Sequence, residues 1–347
     1  MTYVLVTGGC GFIGSNFVRY LVDNSDLHPI IIDKLTYSGN LNNLDSITKN
    51  NYTFINGDIC DQELVQKLFE KYEFVCLFHF AAESHVDRSI DGPKEFIRTN
   101  ILGTFSLLEA SLAYYNKVKN NFRFIHISTD EVYGDLGESG FFTESTPYNP
   151  SSPYSATKAS SDHLVKSWGK TFGLPILITN CSNNYGPYQF PEKLVPLMII
   201  NCLDWKPLPI YGDGQNVRDW LHVSDHCSAI ETVYKNGLLN ETYNIGGNAE
   251  IKNIDIVNII CNFLDKNKPS NKGSYRQLIK FVEDRPGHDF RYAIDSSKIE
   301  NTLNWKPKES FSSGIEKTIK WYINNEAWWR DIQNKKYKQE RLGMKIS

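Results

Sequence analysis

The 347-residue chain has no stretch approaching the about 18 consecutive apolar residues of a membrane span, no internal repeat and no low-complexity segment. Those absences exclude a transmembrane helix, a solenoid and a fibrous chain. Its seven cysteines, Cys10, Cys60, Cys76, Cys181, Cys202, Cys227 and Cys261, are scattered and never spaced C-x-x-C, as in a reduced cytosolic set rather than a disulfide framework or zinc site. The opening Tyr3-Val4-Leu5-Val6 run meets glycines at once, without the basic and apolar regions of a signal peptide. A formal net charge of −3 gives no reason for nucleic-acid or membrane-surface binding. His222 and His226 are four apart, but Val223-Ser224-Asp225 between them lacks the glutamate of a zinc-protease helix, and no metal is expected. The expectation is a soluble, cytoplasmic protein that binds neither nucleic acid nor membrane.

What is present is globular: 41% hydrophobic and 22% charged residues, in a chain longer than a single core usually supports. Short apolar runs at 3–6, 30–32, 53–55, 74–80, 122–127 and 176–179 alternate with amphipathic stretches at 14–22, 63–72, 103–115 and 153–172. That alternation predicts an α/β fold, a Rossmann-type doubly wound parallel sheet covered by helices on both faces. Pro153 after Ser151-Ser152 marks a helix start, because proline lacks the amide hydrogen that a first turn leaves unpaired. Beyond about residue 180, proline-punctuated loops announce a smaller α/β substrate-binding lobe. The expected division is 1–180 for the nucleotide domain with later segments returning to it, 181–329 for the second lobe, and 330–347 for a surface tail.

Thr7-Gly8-Gly9-Cys10-Gly11-Phe12-Ile13-Gly14 follows a strand and opens a helix, the context of a phosphate-binding turn. The spacing is G-x-x-G-x-x-G, so the loop alone is a weak signal. Asp33, nineteen residues after Gly14, ends the second strand where a ribose-binding acid belongs. A carboxylate there accepts both ribose hydroxyls and repels a 2′-phosphate, which favours NAD over NADP; Lys34 beside it is a cation that would tolerate that phosphate. Asp58-Ile59 and Ala81-Ala82 follow the third and fourth strands, at the carboxyl ends where open α/β sheets bind ligands.

Tyr154 and Lys158 are four apart on a helix and share one face. A phenol titrates near ~10 and is a poor base at neutral pH, but an adjacent ammonium favours the phenolate. Hydride transfer needs that pair. Asp130 and Glu131, after a strand ending Ser128-Thr129, are an acid and a base beyond that need, and suggest that a proton and a hydroxyl also leave the substrate.

This combination resembles the extended short-chain dehydrogenase/reductase family, from residue 1 to about 329. Members include sugar-nucleotide epimerases, decarboxylases, reductases and dehydratases, so the family alone does not fix the reaction. Thr129-Asp130-Glu131, where an epimerase would carry small or hydroxylic residues, resembles the nucleotide-sugar 4,6-dehydratases, as do the stretches 33–37, 81–89, 183–188 and 284–289. The resemblance implies dTDP-glucose as substrate, with UDP-glucose as the alternative, and tightly bound NAD regenerated each turnover. A 4-epimerase, a net oxidoreductase or a non-catalytic NAD-binding module are the readings from other classes.

By resemblance the catalytic set is Thr129, Asp130, Glu131, Tyr154 and Lys158. Tyr154 takes the 4-hydroxyl proton during oxidation at C4, Glu131 removes the C5 proton, protonated Asp130 delivers a proton to the departing C6 hydroxyl, and the hydride returns to C6. The cofactor set is Gly8, Gly11, Phe12, Ile13, Gly14, Asp33, Lys34, Leu35, Thr36, Asp58, Ile59, Ala81, Ala82, Ser84, Thr99, Tyr154, Lys158 and Asn184. The substrate set is Ser84, His85, Thr129, Asn183, Lys193, Leu194, Pro209, Ile210, Tyr211, Arg218, Asn253, Asp284, Arg285, Pro286, Gly287 and His288. A homodimer built on the helices at 103–115 and 153–172 is also implied by resemblance.

Overall fold

The computed structural model describes residues 1–119 and 121–335. Along the chain run β1 (Thr2–Thr7), α1 (Phe12–Asn24), β2 (Leu27–Asp33), β3 (Thr53–Asn56), α2 (Gln62–Lys71), β4 (Phe74–His79), α3 (Val86–Asp91), α4 (Pro93–Phe96), a π-helical stretch (Ile97–Gly103), α5 (Thr104–Val118), β5 (Arg123–Thr129), α6 (Pro153–Phe172) and β6 (Ile176–Cys181). Then come β7 (Asn183–Tyr185), α7 (Leu194–Leu203), β8 (Leu208–Tyr211), β9 (Val217–His222), α8 (Val223–Asn236), β10 (Thr242–Ile245), β11 (Glu250–Lys252), α9 (Asn253–Asn267), β12 (Ile279–Val282), α10 (Ser297–Leu303), α11 (Phe311–Asn324) and α12 (Glu326–Lys335).

Seven strands pair in parallel in the order β10-β6-β5-β4-β1-β2-β3. Val4, Leu5, Val6, Ile30, Ile31 and Ile32 are all fully buried, because helices cover both faces of the sheet. This is the expected doubly wound sheet. The order reverses between β1 and β4, which opens a crevice at their carboxyl ends. The chain's later part returns to this sheet through β10 and through α8, which packs beside α1.

A second core lies between α7, α9 and α11, around Met198, Ile199, Ile256, Ile260, Ile319 and Tyr322. Above it sit a sheet ordered β11-β9-β7 and the parallel pair β12-β8. Of the tail expected from Arg330, the described residues are helical. Residues 330–335 are the second half of α12, because Trp328, Trp329 and Ile332 give that helix an apolar face: Trp329 is buried in the second core and Ile332 against Phe190. Residues 336–347 lie outside the described residues. Among the described residues no helix is long and apolar enough to cross a membrane.

Candidate active site

The crevice begins with backbone that only glycine fits. Gly8 has φ +69°, and a Cβ there would lie 2.7 Å from the Ala81 Cα; at Gly14 it would lie 2.2 Å from the Gly8 carbonyl oxygen. The loop from β1 into α1 therefore leaves a side-chain-free hollow beneath helix amides. Asp33 fastens its rim: Oδ2 accepts the Cys10 N–H at 2.9 Å and Oδ1 the Leu35 N–H at 2.8 Å. Lys34 pairs with Asp58 at 2.9 Å and Arg98 with the same carboxylate at 3.0 Å, so the cation beside Asp33 already has a partner. Burial pushes the Asp58 carboxyl up, but the Cys60 N–H and Lys34 outweigh it and hold the group below its ordinary value.

One cavity runs from this hollow to the end of β5, and every expected cofactor residue except Leu35 lines it. Leu35 instead packs against the core beneath the sheet, its backbone held at φ +54°. All five expected catalytic residues line the same cavity.

The catalytic end is built on a tight turn. The Thr129 hydroxyl accepts the Glu131 N–H at 3.3 Å, capping the 3₁₀ turn Asp130–Tyr133, and donates to Asp130 Oδ1 at 3.3 Å. Asp130 is 1% exposed, and its Oδ2 has no hydrogen-bond partner among the described residues. Burial, then Glu131 and Asp219, push its carboxyl well above the ordinary range, against the pull of Arg218. Burial also raises Glu131, opposed by Arg285, Lys193 and Arg218.

Helix α6 presents Tyr154 and Lys158. Its start is fixed by a capping box, Ser152 Oγ taking the Ser155 N–H and Ser155 Oγ the Ser152 N–H, with Pro153 in the first turn. Here the expected coupling of the pair is not met. Lys158 Nζ donates to the Ile127 carbonyl at 2.9 Å and lies 3.5 Å from His126 Nε2, while burial and Glu131 raise the Tyr154 phenol well above its ordinary value. Burial lowers the Lys158 ammonium below its ordinary value, and the buried carboxylate of Asp162, one turn further along α6, opposes that shift. The residue following Lys158 on that face at the same four-residue step was thus legible in the sequence and was missed.

Across the cavity the second lobe brings its expected residues together less completely. Ser84, Thr129, Asn183 and Lys193 line the cavity, and Lys193 Nζ donates to the Ser84 carbonyl at 3.1 Å. Asn184, on β7, receives His226 Nδ1 at 3.0 Å. Val282 of β12 pairs beside Tyr211 of β8, so Asp284, Arg285, Pro286, Gly287 and His288 follow at the Tyr211 end of β8, while Pro209 pairs two positions earlier with Lys280. His288 Nδ1 lies 2.6 Å from Asp284, and burial and Arg285 push its imidazole down to about 4. Arg218 donates to the carbonyls of Val217, Asp289 and Phe290 and stacks over Tyr292, neutral partners that leave its charge to act on Asp130 and Glu131. Asn253 opens α9, its N–H bonded to the Asn216 carbonyl. His85 is buried 3.9 Å from Glu192. Leu194 and Ile210 turn into the second core and offer no side chain to the cavity.

Sequence reasoning missed Tyr37, Glu83 and Glu192 in the cavity wall and Asn100 behind it. Tyr37 and Glu83 lie inside stretches whose family resemblance was noted, and Glu192 adjoins Lys193. Asn100 carried no signal. It sits in the π-helical stretch, where it pins the Glu83 backbone at both N–H and carbonyl and bonds Thr157 of α6.

The family described as GDP-mannose 4,6 dehydratase matches residues 5–318. The dTDP-glucose 4,6-dehydratase of Neisseria meningitidis serogroup B is 54% identical, covering 99% of each chain. Among solved structures, the dTDP-glucose 4,6-dehydratase of Bacillus anthracis in complex with NAD is similar with TM-score 0.86 and 46% identity over 96% of this chain and all of that one. That of Streptomyces venezuelae, also with NAD bound, gives TM-score 0.88 and 43% identity over 95% of this chain and all of that one. On likeness that runs through the glycine loop, the Thr129-Asp130-Glu131 turn and both lobes, the chain belongs to the dTDP-glucose 4,6-dehydratase family of extended short-chain dehydrogenases/reductases.

Proposed function

We propose that this protein converts dTDP-glucose to dTDP-4-keto-6-deoxyglucose and water, using a tightly held NAD that each turnover restores, as a step in making deoxysugar nucleotides. The observation that carries the reading is that Asp130 and Glu131 line one cavity with Tyr154, Lys158 and the glycine loop. An epimerase needs only the tyrosine and lysine; elimination also needs an acid and a base. The dTDP-linked substrate named for the relatives supports dTDP over UDP.

The residues present fit NAD: the hollow at Gly8, Gly11 and Gly14 would receive the pyrophosphate, Asp33 the adenosine ribose, and the engaged Lys34 argues against a 2′-phosphate. When bound, NAD supplies the acceptor for the C4 hydride and its donor to C6. Tyr154 takes the proton of the 4-hydroxyl. Burial and Glu131 hold the phenolic proton on, and Lys158, four residues along α6, is the cation that would favour the phenolate. Thr129 orients the C4 oxygen. Glu131, its proton affinity raised by burial, removes the C5 proton that the ketone acidifies and later returns a proton to C5. Asp130, holding its proton at neutral pH, gives it to the C6 hydroxyl, which leaves as water.

Incubating the purified protein with dTDP-glucose in deuterated water, without added NAD, tests this. NMR should show a 4-keto-6-deoxy product with deuterium at C5 and the original C4 hydrogen at C6. A C4 epimer, unchanged sugar or stoichiometric NADH would overturn it.

The same reading includes a cytoplasmic homodimer. Six of the seven scattered cysteines are buried in the cores, which supports a reducing compartment. Leu102 and Phe172 are 53% and 51% exposed on the α5–α6 side, beside edge-to-face contacts of Trp168 with Phe105 and Phe172. An apolar face of that kind supports a partner subunit there.

A further inference from the structure

Helix α3 carries a buried acid that the reaction scheme leaves unused. Asp87 is 4% exposed, and its two oxygens are divided between two residues of the opposite lobe: Oδ1 accepts Arg285 Nη1 at 2.8 Å, and Oδ2 accepts the Tyr211 hydroxyl at 3.1 Å. It also favours the charge of Lys193. Arg285, Tyr211 and Lys193 are all in the substrate set, so one carboxylate organises three groups suited to a diphosphate.

The neighbour of Asp87 in the chain matters as much. Val86 packs with Phe96 against Tyr154. One short helix therefore holds the catalytic tyrosine through Val86 and the guanidinium through Asp87. With Nη1 fixed on Asp87, Arg285 keeps a buried Nε–H that has no partner among the described residues. A guanidinium anchored on one nitrogen presents its remaining hydrogens in a fixed direction, which suits it to a phosphate oxygen.

We infer that Asp87 is a positioning residue: by anchoring Arg285 and Tyr211 to α3, it holds the guanidinium and the phenol in the orientation that binds the diphosphate of the substrate. The inference rests on the proposed nucleotide-sugar reading. It assigns Asp87 no contact with the reacting atoms.

The test compares wild type, Asp87→Asn, Arg285→Ala and the double variant. Asp87→Asn keeps the shape and one acceptor but removes the charge. It should raise KM for dTDP-glucose about tenfold, and the Kd for dTDP by calorimetry by a similar factor, with kcat within twofold and melting temperature and NAD content unchanged. In the Arg285→Ala background the same change should alter KM and Kd less than twofold, because its route runs through the guanidinium. Unchanged KM and Kd, tighter dTDP binding, a loss confined to kcat, or effects that multiply in the double variant would each overturn the inference. If wild type binds dTDP but does not turn over dTDP-glucose, the functional reading fails while the calorimetry still decides on Asp87. If wild type does not bind dTDP, both fall.

Discussion

The His126 imidazole and the Asp162 carboxylate meet at 3.1 Å in a dry interior, both fully buried. Burial raises Asp162, but His126, Lys158 and Ser128 outweigh it and hold its carboxyl below the ordinary range. Burial and Lys158 push His126 down to about 4, so the imidazole is neutral at neutral pH. Asp162 Oδ2 also accepts the hydroxyls of Ser128 and Tyr148, each at 2.9 Å.

Asp162→Asn removes a buried carboxylate that accepts the Ser128 and Tyr148 hydroxyls and favours the charge of Lys158. Weakening a charged acceptor that buried hydroxyls depend on costs about 1–3 kcal/mol, and guanidinium unfolding should show a loss of that size. Because the native carboxyl is depressed, its contribution is present above the ordinary carboxylate value and disappears as pH falls through the lower native one, so wild type and variant should converge in acid. A loss under 1 kcal/mol at neutral pH would show that the two hydroxyls and Lys158 are compensated elsewhere.

Asp130 is the opposite case. Its native value is raised, so its contribution is present below the ordinary value of 3.8 and is lost as pH rises through the raised one. Asp130→Asn, which carries no proton to lose, should therefore gain stability relative to wild type as pH increases, while kcat falls by about 10²–10⁴-fold for want of a proton donor. A variant that tracks wild type in alkaline melts would mean that Asp130 is already ionised.

Gly14→Ala places a methyl group 2.2 Å from the Gly8 carbonyl oxygen, so the loop must open. The expected result is a folded protein that loses its dinucleotide on gel filtration, read from the 260 to 280 nm absorbance ratio. Full retention of NAD would show that the turn accommodates a side chain.

Leu102→Glu with Phe172→Glu puts charge on the apolar α5–α6 face while both side chains stay in water in the lone chain. Light scattering should report a monomer where wild type reports a dimer, with the melting temperature lowered at micromolar concentration. A variant that remains dimeric would move the interface elsewhere.

Much of this was legible in the residues. The six strands of the first half and the helix Pro153–Phe172 follow from buried apolar runs and from a proline behind a serine cap, both of them local signals. The glycine loop, Asp33 and the acid pair were readable because their chemistry constrains their spacing. What was not readable depends on distant pairing. Leu35 faces the core because its backbone bends to let Asp33 grip the loop, and Arg218 lies over Tyr292 because β9 carries it there. The expected phenolate at Tyr154 drew on the four-residue spacing to Lys158, and spacing cannot say that the Ile127 carbonyl takes a hydrogen bond from the ammonium.

The last strand of the seven, β10, has a consequence for how the protein is made. Until Thr242–Ile245 leaves the ribosome, β6 is an open sheet edge, and the roughly sixty residues between them take about 3–12 s to synthesise. During that interval the nascent chain offers unpaired backbone amides beside the catalytic turn, a template for mispairing with a neighbouring copy. A chain truncated within the second lobe would keep that edge permanently, so the first 180 residues alone should aggregate on expression instead of yielding an isolated nucleotide-binding domain.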